Sequence, residues 1–361
     1  MKNTLNSYLE KNIPFALFRA PNQPVRFVAQ LSPLTEDHKI EASGFHFAPF
    51  SNRENVPHFV IKNDVNIVAV ENGNSIPNPT ISKLEIPTFL ENKNQMNVVD
   101  FPTYENHIQS YLDFFEKNET QKAIYSRIKK TELPEDFDLI SFFEKIENAY
   151  PRAMVYIVNL PGLGLWAGAS PEKLLTYKNG IAETVALAGT QKILEQKNIE
   201  NLTWGKKEIE EHGMVVDYIL KKIKDNNLEI LNRSETYTSQ AGAMAHLKQR
   251  FEVKITKSAL PKFIQDLHPT PAVCGLPKEK ALDLIYQTEP YDREYYAGYL
   301  GMVEKDAVDF YVNLRCMKIN NNITALFVGG GITANSDARK EWEETELKAK
   351  TLLNILDLIE V

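Results

Sequence analysis

The chain predicts an α+β fold, a large antiparallel β-sheet sandwich flanked by helices. Strand-like runs come first as a group and later mix with helical ones. The turns Lys178-Asn179-Gly180 and Asn320-Asn321-Asn322 separate strand-like runs at hairpin spacing, which favours antiparallel pairing. The glycine-rich segment VGGGITANS (Val328 to Ser336) is not GxGxxG, lies near the C-terminus and is followed by no βαβ unit, so a doubly wound dinucleotide fold is not expected.

In chain order, FALFRA, RFVAQ, GFHFAPF and HFVIK read as strands, because aromatic and β-branched residues cluster in short runs between turn residues. Glu71 to Gln95, rich in Asn and Pro, reads as a linker or long surface connection. YENHIQSYLDFFEKN is helical, AIYSRIKK a strand, LISFFEKIENAY a helix, and AMVYIVNL, LGLWAGA and KLLTYKNGIAETVAL strands. A helix follows Trp204, FEVKI is a strand, short helices flank residue 270, YLGMVEKDAVDFYVNLRCMKINNNITALFVGG reads as paired strands, and a helix ends the chain. No internal repeat is visible.

At 361 residues, 43% hydrophobic and 25% charged, the chain can bury a substantial core in one large domain or two. No apolar run approaches the ~20 residues of a membrane span. The start, MKNTLNSYLEKNIPF, lacks a basic region followed by an apolar core, so a cytoplasmic protein is expected. Cys274 and Cys316 have no CxxC or metal spacing and read as core thiols of a reduced compartment. A net charge of −7 excludes a basic nucleic-acid surface. An anionic substrate would therefore need a locally positive site.

Two helices carry carboxylates beside or within their apolar stripes. In SDARKEWEETELKAK, at about 100° per residue, Glu341, Glu344 and Lys348 share an arc bordering Trp342, Ala349, Leu352, Leu353 and Leu356, while Glu343 and Lys350 face solvent. In WGKKEIEEHGMVVDYIL, Trp204, Glu208, Glu211, Val215 and Ile219 lie on one side. A buried carboxylate needs Lys or Arg, a shared proton, or a metal ion. Ordinary buried ion pairs and a hard cation such as Mg²⁺ both satisfy that spacing.

Taken singly, Lys122 at the start of KAIYSRI reads as a solvated strand end, and Glu172 in GASPEKLL as a first-turn helix charge. In order with ALAGT (Ala186 to Thr190), EEHGMVVD, HPTPAVCGLP, EPYDREYYAG, NLRCMK, VGGGI and EWEETELK, they form a pattern. The sequence resembles the chorismate-utilising enzymes, and within them the isochorismate synthase branch. The resemblance runs from about residue 101 to the C-terminus. It implies the fold shared with anthranilate and aminodeoxychorismate synthase component I, residues 101–361 as the chorismate-binding catalytic region, and residues 1–100 as a variable part of the same structural domain.

Within that family, Ala188 replaces the lysine nucleophile of the usual aminodeoxychorismate synthases, and Lys122 replaces the glutamine typical of anthranilate synthases, which use ammonia. A lysine suits water, which needs a general base. Leu267 to Pro277, LHPTPAVCGLP, is similar to the isochorismate synthase form. Salicylate synthases also keep the Lys and Glu pair, and a silent chorismate-binding relative is the non-catalytic alternative.

The resemblance implies that Glu211 and Glu344 bind Mg²⁺, with Glu341 assisting through water. Arg315, Lys348 and the backbone N–H groups of Gly330 and Gly331 would receive carboxylates, and His268, Thr270, Ala188, Gly189 and Thr190 would line the ring. His212 and His246 read as structural. Lys122 would take a proton from water attacking C2, and Glu172 would protonate the departing C4 hydroxyl. That requires a neutral amine and a neutral acid at pH 7. The reaction would convert chorismate to isochorismate reversibly, feeding menaquinone or catechol siderophore biosynthesis, with no glutaminase subunit and a monomeric chain. VGGGI replaces the commoner A-G-A-G-I form and Glu208 a frequent Asp, both with chemistry retained.

Overall fold

The computed structural model describes residues 2–357 apart from 38, 71–75, 88–95, 119, 194–198, 200, 201, 242 and 243. The elements in chain order are α1 (Lys2–Glu10), β1 (Phe15–Arg19), β2 (Arg26–Ala29), β3 (Gly44–Ala48), β4 (Phe59–Ile61), β5 (Val65–Val68), α2 (Phe101–Asn118), β6 (Lys122–Glu132) and α3 (Leu139–Ala149). Next come β7 (Met154–Leu160), β8 (Gly164–Ser170), β9 (Lys173–Lys178), β10 (Ile181–Lys192), α4 (Lys206–Asp225), β11 (Glu229–Arg233), β12 (Tyr237–Ala241) and β13 (Met244–Lys254). The chain continues with α5 (Leu260–Leu267), β14 (Gly275–Leu276), α6 (Lys278–Thr288), β15 (Tyr299–Glu304), β16 (Ala307–Val312), β17 (Cys316–Asn320), β18 (Ile323–Ile332) and α7 (Ala338–Asp357).

The strands form two sheets. One runs β14-β6-β18-β17-β8-β7-β1-β2-β5, and the other β11-β13-β10-β9-β16-β15-β3-β4 with β12 added on β13. Every pairing between these strands is antiparallel, including the hairpins at Lys178–Gly180 and Asn320–Asn322. At both hairpins an Asn adopts positive φ, at Asn179 and Asn321, a conformation its short polar side chain tolerates.

Period-2 alternation explains the layers. In β7, Met154, Tyr156, Val158 and Leu160 face the core between the sheets, where Phe47, Trp166 and Tyr295 meet, while Val155 and Ile157 face outward. That outer face is covered by Leu5 and Tyr8 of α1, Phe142, Phe143 and Ile146 of α3, and Leu352, Ile355 and Leu356 of α7. With both faces buried, the central strands read as continuous apolar runs. β1 to β4 sit inside these sheets: β1 pairs with β7, and β3 with β15.

Five strands depart from the sequence expectation: β5 and the two-residue β14 were not foreseen, and three more lie around the second sheet's edge. β13 extends well ahead of FEVKI, β11 falls on EILNR, exposed throughout, and β12 on YTSQA. β13 is held by β10 and by its buried face of Ala245, Leu247, Phe251 and Val253, and β11 and β12 are held by pairing to β13. α1 was not expected either, since Leu5, Tyr8 and Leu9 are its only apolar side chains. Of the Asn- and Pro-rich segment, residues 76–87 are irregular chain with Ile76 buried, and 71–75 and 88–95 lie outside the described residues.

Candidate active site

A cleft of about 180 Å³ lies where β6, β18, the start of β9, the bulge of β10, α4 and α7 converge. An apolar cavity of ~150 Å³ accepts benzene, so this one suits a single substituted ring. Its lining brings together Lys122, Glu172, Ala188, Gly189, Thr190, Glu208, Glu211, Arg315, Gly330, Gly331, Glu341, Glu344 and Lys348 from seven separate segments of the sequence.

Local backbone features set these side chains. Lys122 opens β6, pinned between Ile332-paired Ala123 and Leu276 of β14. It lies across Gly331, where an added Cβ would come within 2.8 Å of Lys122 Cε and 3.3 Å of Glu211 Oε1. Only glycine leaves that room. In β10 the register against β13 shifts between Ala188 and Thr190, a bulge formed around Gly189 at φ +72°. There the backbone comes so close to α4 that a Cβ would sit 3.1 Å from the Glu208 carbonyl.

In β18, successive N–H groups point to opposite edges. Lys348 Nζ donates to the Gly329 carbonyl at 2.8 Å, so Gly329 and Gly331 face the open edge and Gly330, opposite Tyr125, faces β6. Ile124 and Ser126 agree, since their N–H groups turn away from β18 to Cys274 and Glu289. This corrects the expectation that both Gly330 and Gly331 offer an N–H. Gly331 can; the Gly330 N–H is directed into the ladder.

Three of the cleft carboxylates are paired with lysines. Lys122 Nζ lies 2.6 Å from Glu211 Oε1, Lys348 Nζ 2.6 Å from Glu344 Oε1, and Lys207 Nζ 3.4 Å from Glu341 Oε1. Burial pushes the Glu211 carboxyl up, but Lys122 and Lys348 outweigh it and leave it below the ordinary range. Lys348 holds Glu344 down against its own burial, whereas burial keeps Glu341 raised despite Ser336 and Lys207. Glu172 differs in kind. Its carboxyl makes no ion pair within 4 Å among the described residues, and enclosure by the cleft wall pushes it up to about 7 against the pull of Lys122, Lys348 and Arg315.

Arg315, at φ 50°, donates to Thr351 Oγ1 at 3.1 Å and keeps the rest of its guanidinium for the cleft. Burial lowers its pKa, with Tyr296 and Glu344 opposing.

His268 and Thr270 are not in the cleft, contrary to expectation. His268 follows α5 directly, donates from Nε2 to the Phe50 carbonyl (2.9 Å), packs edge-on against Tyr299, and borders a separate cavity lined by the turn near residues 49–58. Burial, then Lys278, push its pKa to about 3. Thr270 is buried, its carbonyl accepting from Val273 and Cys274. The segment reaches the cleft only with Ala272 and Val273.

Three cleft residues went unassigned in the sequence. His246, read as structural, lines the cleft and contacts Thr190 Oγ1 through Nδ1 at 3.1 Å, with burial, Arg315 and Lys348 pushing its pKa to about 4. Its strand alternates, with Ala245, Leu247, Phe251 and Val253 on the core face, which puts His246 on the polar face with Lys248 and Arg250; that this face meets the cleft depends on the neighbouring strands. Lys207 and Tyr296 also line the wall; Tyr296 stands in the EPYDREYYAG motif, but its direction depends on the stacking against Phe327. His212 is buried in α4 and outside the cleft lining.

The donor chemistry fits a hard cation. Glu211 and Glu341 flank the glycines of β18, with carboxylate oxygens 3.3 and 3.4 Å from where Cβ atoms on Gly331 and Gly330 would lie, and Glu344 opposes the lysines that lower the Glu211 pKa. Among the described residues no group of three His, Cys, Asp or Glu is already gathered as a cage. Mg²⁺ needs only one or two carboxylates besides water and substrate.

A two-sheet antiparallel fold with this acid- and lysine-lined cleft places the chain in one class. It belongs to the chorismate binding enzymes, whose family model matches residues 64–357. Among individual proteins it is similar to the isochorismate synthase EntC of Escherichia coli, 28% identical over 247 residues, covering 66% of this chain and 63% of that one. The isochorismate synthase MenF of the same organism is 31% identical over 55% of this chain and 47% of its own. The chain thus matches less than two thirds of these relatives' length. The fold is that of the crystal structures of DhbC from Bacillus anthracis (TM-score 0.78, 21% identity, 98% of this chain and 100% of that chain) and anthranilate synthase component I from Streptococcus pneumoniae (TM-score 0.66, 19% identity, 94% and 92%). Among the described residues no helix is long and apolar enough to cross a membrane.

Proposed function

We propose that the protein isomerises chorismate to isochorismate, with water as nucleophile. The observation that carries this is the pairing of chemistry within one ring-sized cleft: a lysine, Lys122, and a carboxyl held up to about 7, Glu172, with Ala188 leaving no side-chain nucleophile between them. Water adds at C2, losing a proton to Lys122; the ring double bonds shift; the C4 hydroxyl leaves as water with the proton of Glu172. Atoms balance, since one water enters and one departs. Lys122 must first leave Glu211, because in its ion pair it donates and cannot accept a proton.

Glu211 and Glu344, with Glu341 in support, would hold Mg²⁺, which when bound supplies positive charge for the ring carboxylate. Arg315, Lys348 and the Gly331 N–H would hold the remaining carboxylate oxygens. Water as nucleophile removes any need for an ammonia-supplying glutaminase subunit, and we take the chain to act as a monomer. The buried free thiols Cys274 and Cys316 are in keeping with the reduced cytoplasm.

The test is to incubate the purified chain with chorismate and Mg²⁺, without ammonia, and identify the product by chromatography. Isochorismate is expected, and chelation should abolish its formation. Salicylate as the dominant product at neutral pH would transfer the protein to the salicylate synthases, and no product would leave a silent chorismate binder. Glu344→Ala should remove metal-dependent turnover in a folded protein; full activity in that variant sinks the metal assignment.

A further inference from the structure

A second cavity, of about 400 Å³, opens beside the cleft and shares with it Pro171, Leu187, His246 and Arg315. The cleft lining holds the five carboxylates Glu172, Glu208, Glu211, Glu341 and Glu344 against the four cations Lys122, Lys207, Arg315 and Lys348. The adjoining lining holds Arg152, Lys248 and Arg315 and no carboxylate. Arg152 is exposed on the turn after α3, and Lys248 is half-buried on β13. Neither forms an ion pair within 4 Å of a described residue. Burial, then Lys173, lower the Lys248 pKa, with Glu183 opposing, so its charge is poorly compensated where it stands.

On a chain of net charge −7, a recess lined by one sign of charge focuses the field and raises the local concentration of counter-ions. Resting on the chorismate reading, we propose that this chamber is the entry port for the dianionic substrate: Arg152 and Lys248 capture a carboxylate, and Arg315, in the shared wall, passes it into the cleft. With Glu172 protonated, the four remaining carboxylates of the cleft only match its four cations, so the cleft alone draws a dianion less strongly than the port does. The port therefore sets the rate of capture and leaves the chemical step alone.

The experiment compares the full chain with Lys248→Gln, Arg152→Gln and the double variant. Chorismate association is followed by stopped-flow intrinsic fluorescence, and kcat and KM by product formation, at low and high ionic strength with Mg²⁺ present. In the double variant, association rate and kcat/KM should fall on the order of 10-fold at low salt, the scale of electrostatic steering, with kcat within about twofold and the salt dependence flattened. Lys248→Arg should restore most of the loss in the single variant. Unchanged association with an unchanged salt slope overturns the port, as does loss confined to kcat, or a second chorismate bound per chain by calorimetry. If the parent binds chorismate with this salt dependence but forms no isochorismate, the proposed reaction falls and the port stands. A parent that does not bind chorismate overturns both.

Discussion

Glu172 and Lys122, the proposed acid and base, show how position, not residue type, would make a catalytic group. A glutamate after Ser-Pro would ordinarily be ionised; enclosure in the cleft wall holds this one protonated up to about pH 7. The sign for activity follows: the acid is competent below about 7 and is lost as pH rises through that value, so kcat should decline on the alkaline side. Glu172→Gln should lower kcat on the order of 10²-fold or more, while chorismate affinity changes much less. Lys122→Ala should match it in rate loss, and near-parental kcat there would mean the base lies elsewhere. Stability moves oppositely. With a folded pKa of about 7 above the ordinary 4.5, the native state binds more protons than the unfolded one between those values, so Glu172 costs stability increasingly as pH rises and fully above about 7. Glu172→Gln should therefore melt higher than the parent at pH 8, with the gap closing below pH 5. A variant that melts lower at pH 8 contradicts the buried-acid account. By contrast Arg315→Ala should raise KM more than it lowers kcat, because its guanidinium binds and does not transfer protons.

At the scale of elements, the site depends on how α7 is fixed to β6. Arg127 of β6, buried, donates through Nε to Thr345 Oγ1 at 2.8 Å, pairs with Glu346, and lies 3.7 Å over the Trp342 ring, while Lys129 reaches Glu346 at 2.5 Å. One strand thus carries Lys122 and also anchors the helix that carries Glu341, Glu344 and Lys348. Breaking a buried ion pair costs roughly 3–5 kcal/mol, and Lys129 retains part of the Glu346 charge, so Arg127→Met should cost somewhat less than that range. It should also lower kcat/KM without touching substrate, whereas Glu343→Ala, on the exposed face, should change neither; melting curves and kinetics on both variants check this. The helix faces were legible in the sequence, since 100° periodicity alone separates Glu341 and Glu344 from Glu343 and Lys350. The partners of Glu211 and Glu341 were not, because Lys122 and Lys207 reach them from other elements, whereas Lys348 pairs with Glu344 one turn away on α7. Nor could periodicity see that the LHPTP turn aims His268 at Phe50, since its direction is set by α5 and the N-terminal turn it packs against.

Across the whole molecule, the acidic surface, the basic port and the mixed cleft divide the charge so that an anion meets cations first. The sandwich behind them was legible from apolar runs and Asn turns, but the role of the first hundred residues was not, because they carry no motif and their contribution is pairing. The family match begins at residue 64, yet β1 lies between β7 and β2, and β3 between β15 and β4. Removing residues 1–63 would strip Phe15, Leu17, Phe27, Phe45, Phe47 and Phe59, each at most 1% exposed, from both cores. At roughly 1.5–3 kcal/mol per buried side chain, those six alone are worth roughly 9–18 kcal/mol as an upper bound. Total domain stability is only about 5–15 kcal/mol. The deletion also exposes the edges of β7 and β15 as unpaired strands, a template for aggregation. The fragment 64–361 should therefore lack near-ultraviolet circular dichroism and a cooperative melting transition, and should form no isochorismate, although it retains every residue assigned to the cleft. A fragment that melts cooperatively and turns over chorismate would show that the N-terminal strands are an accessory layer and that the catalytic region folds without them.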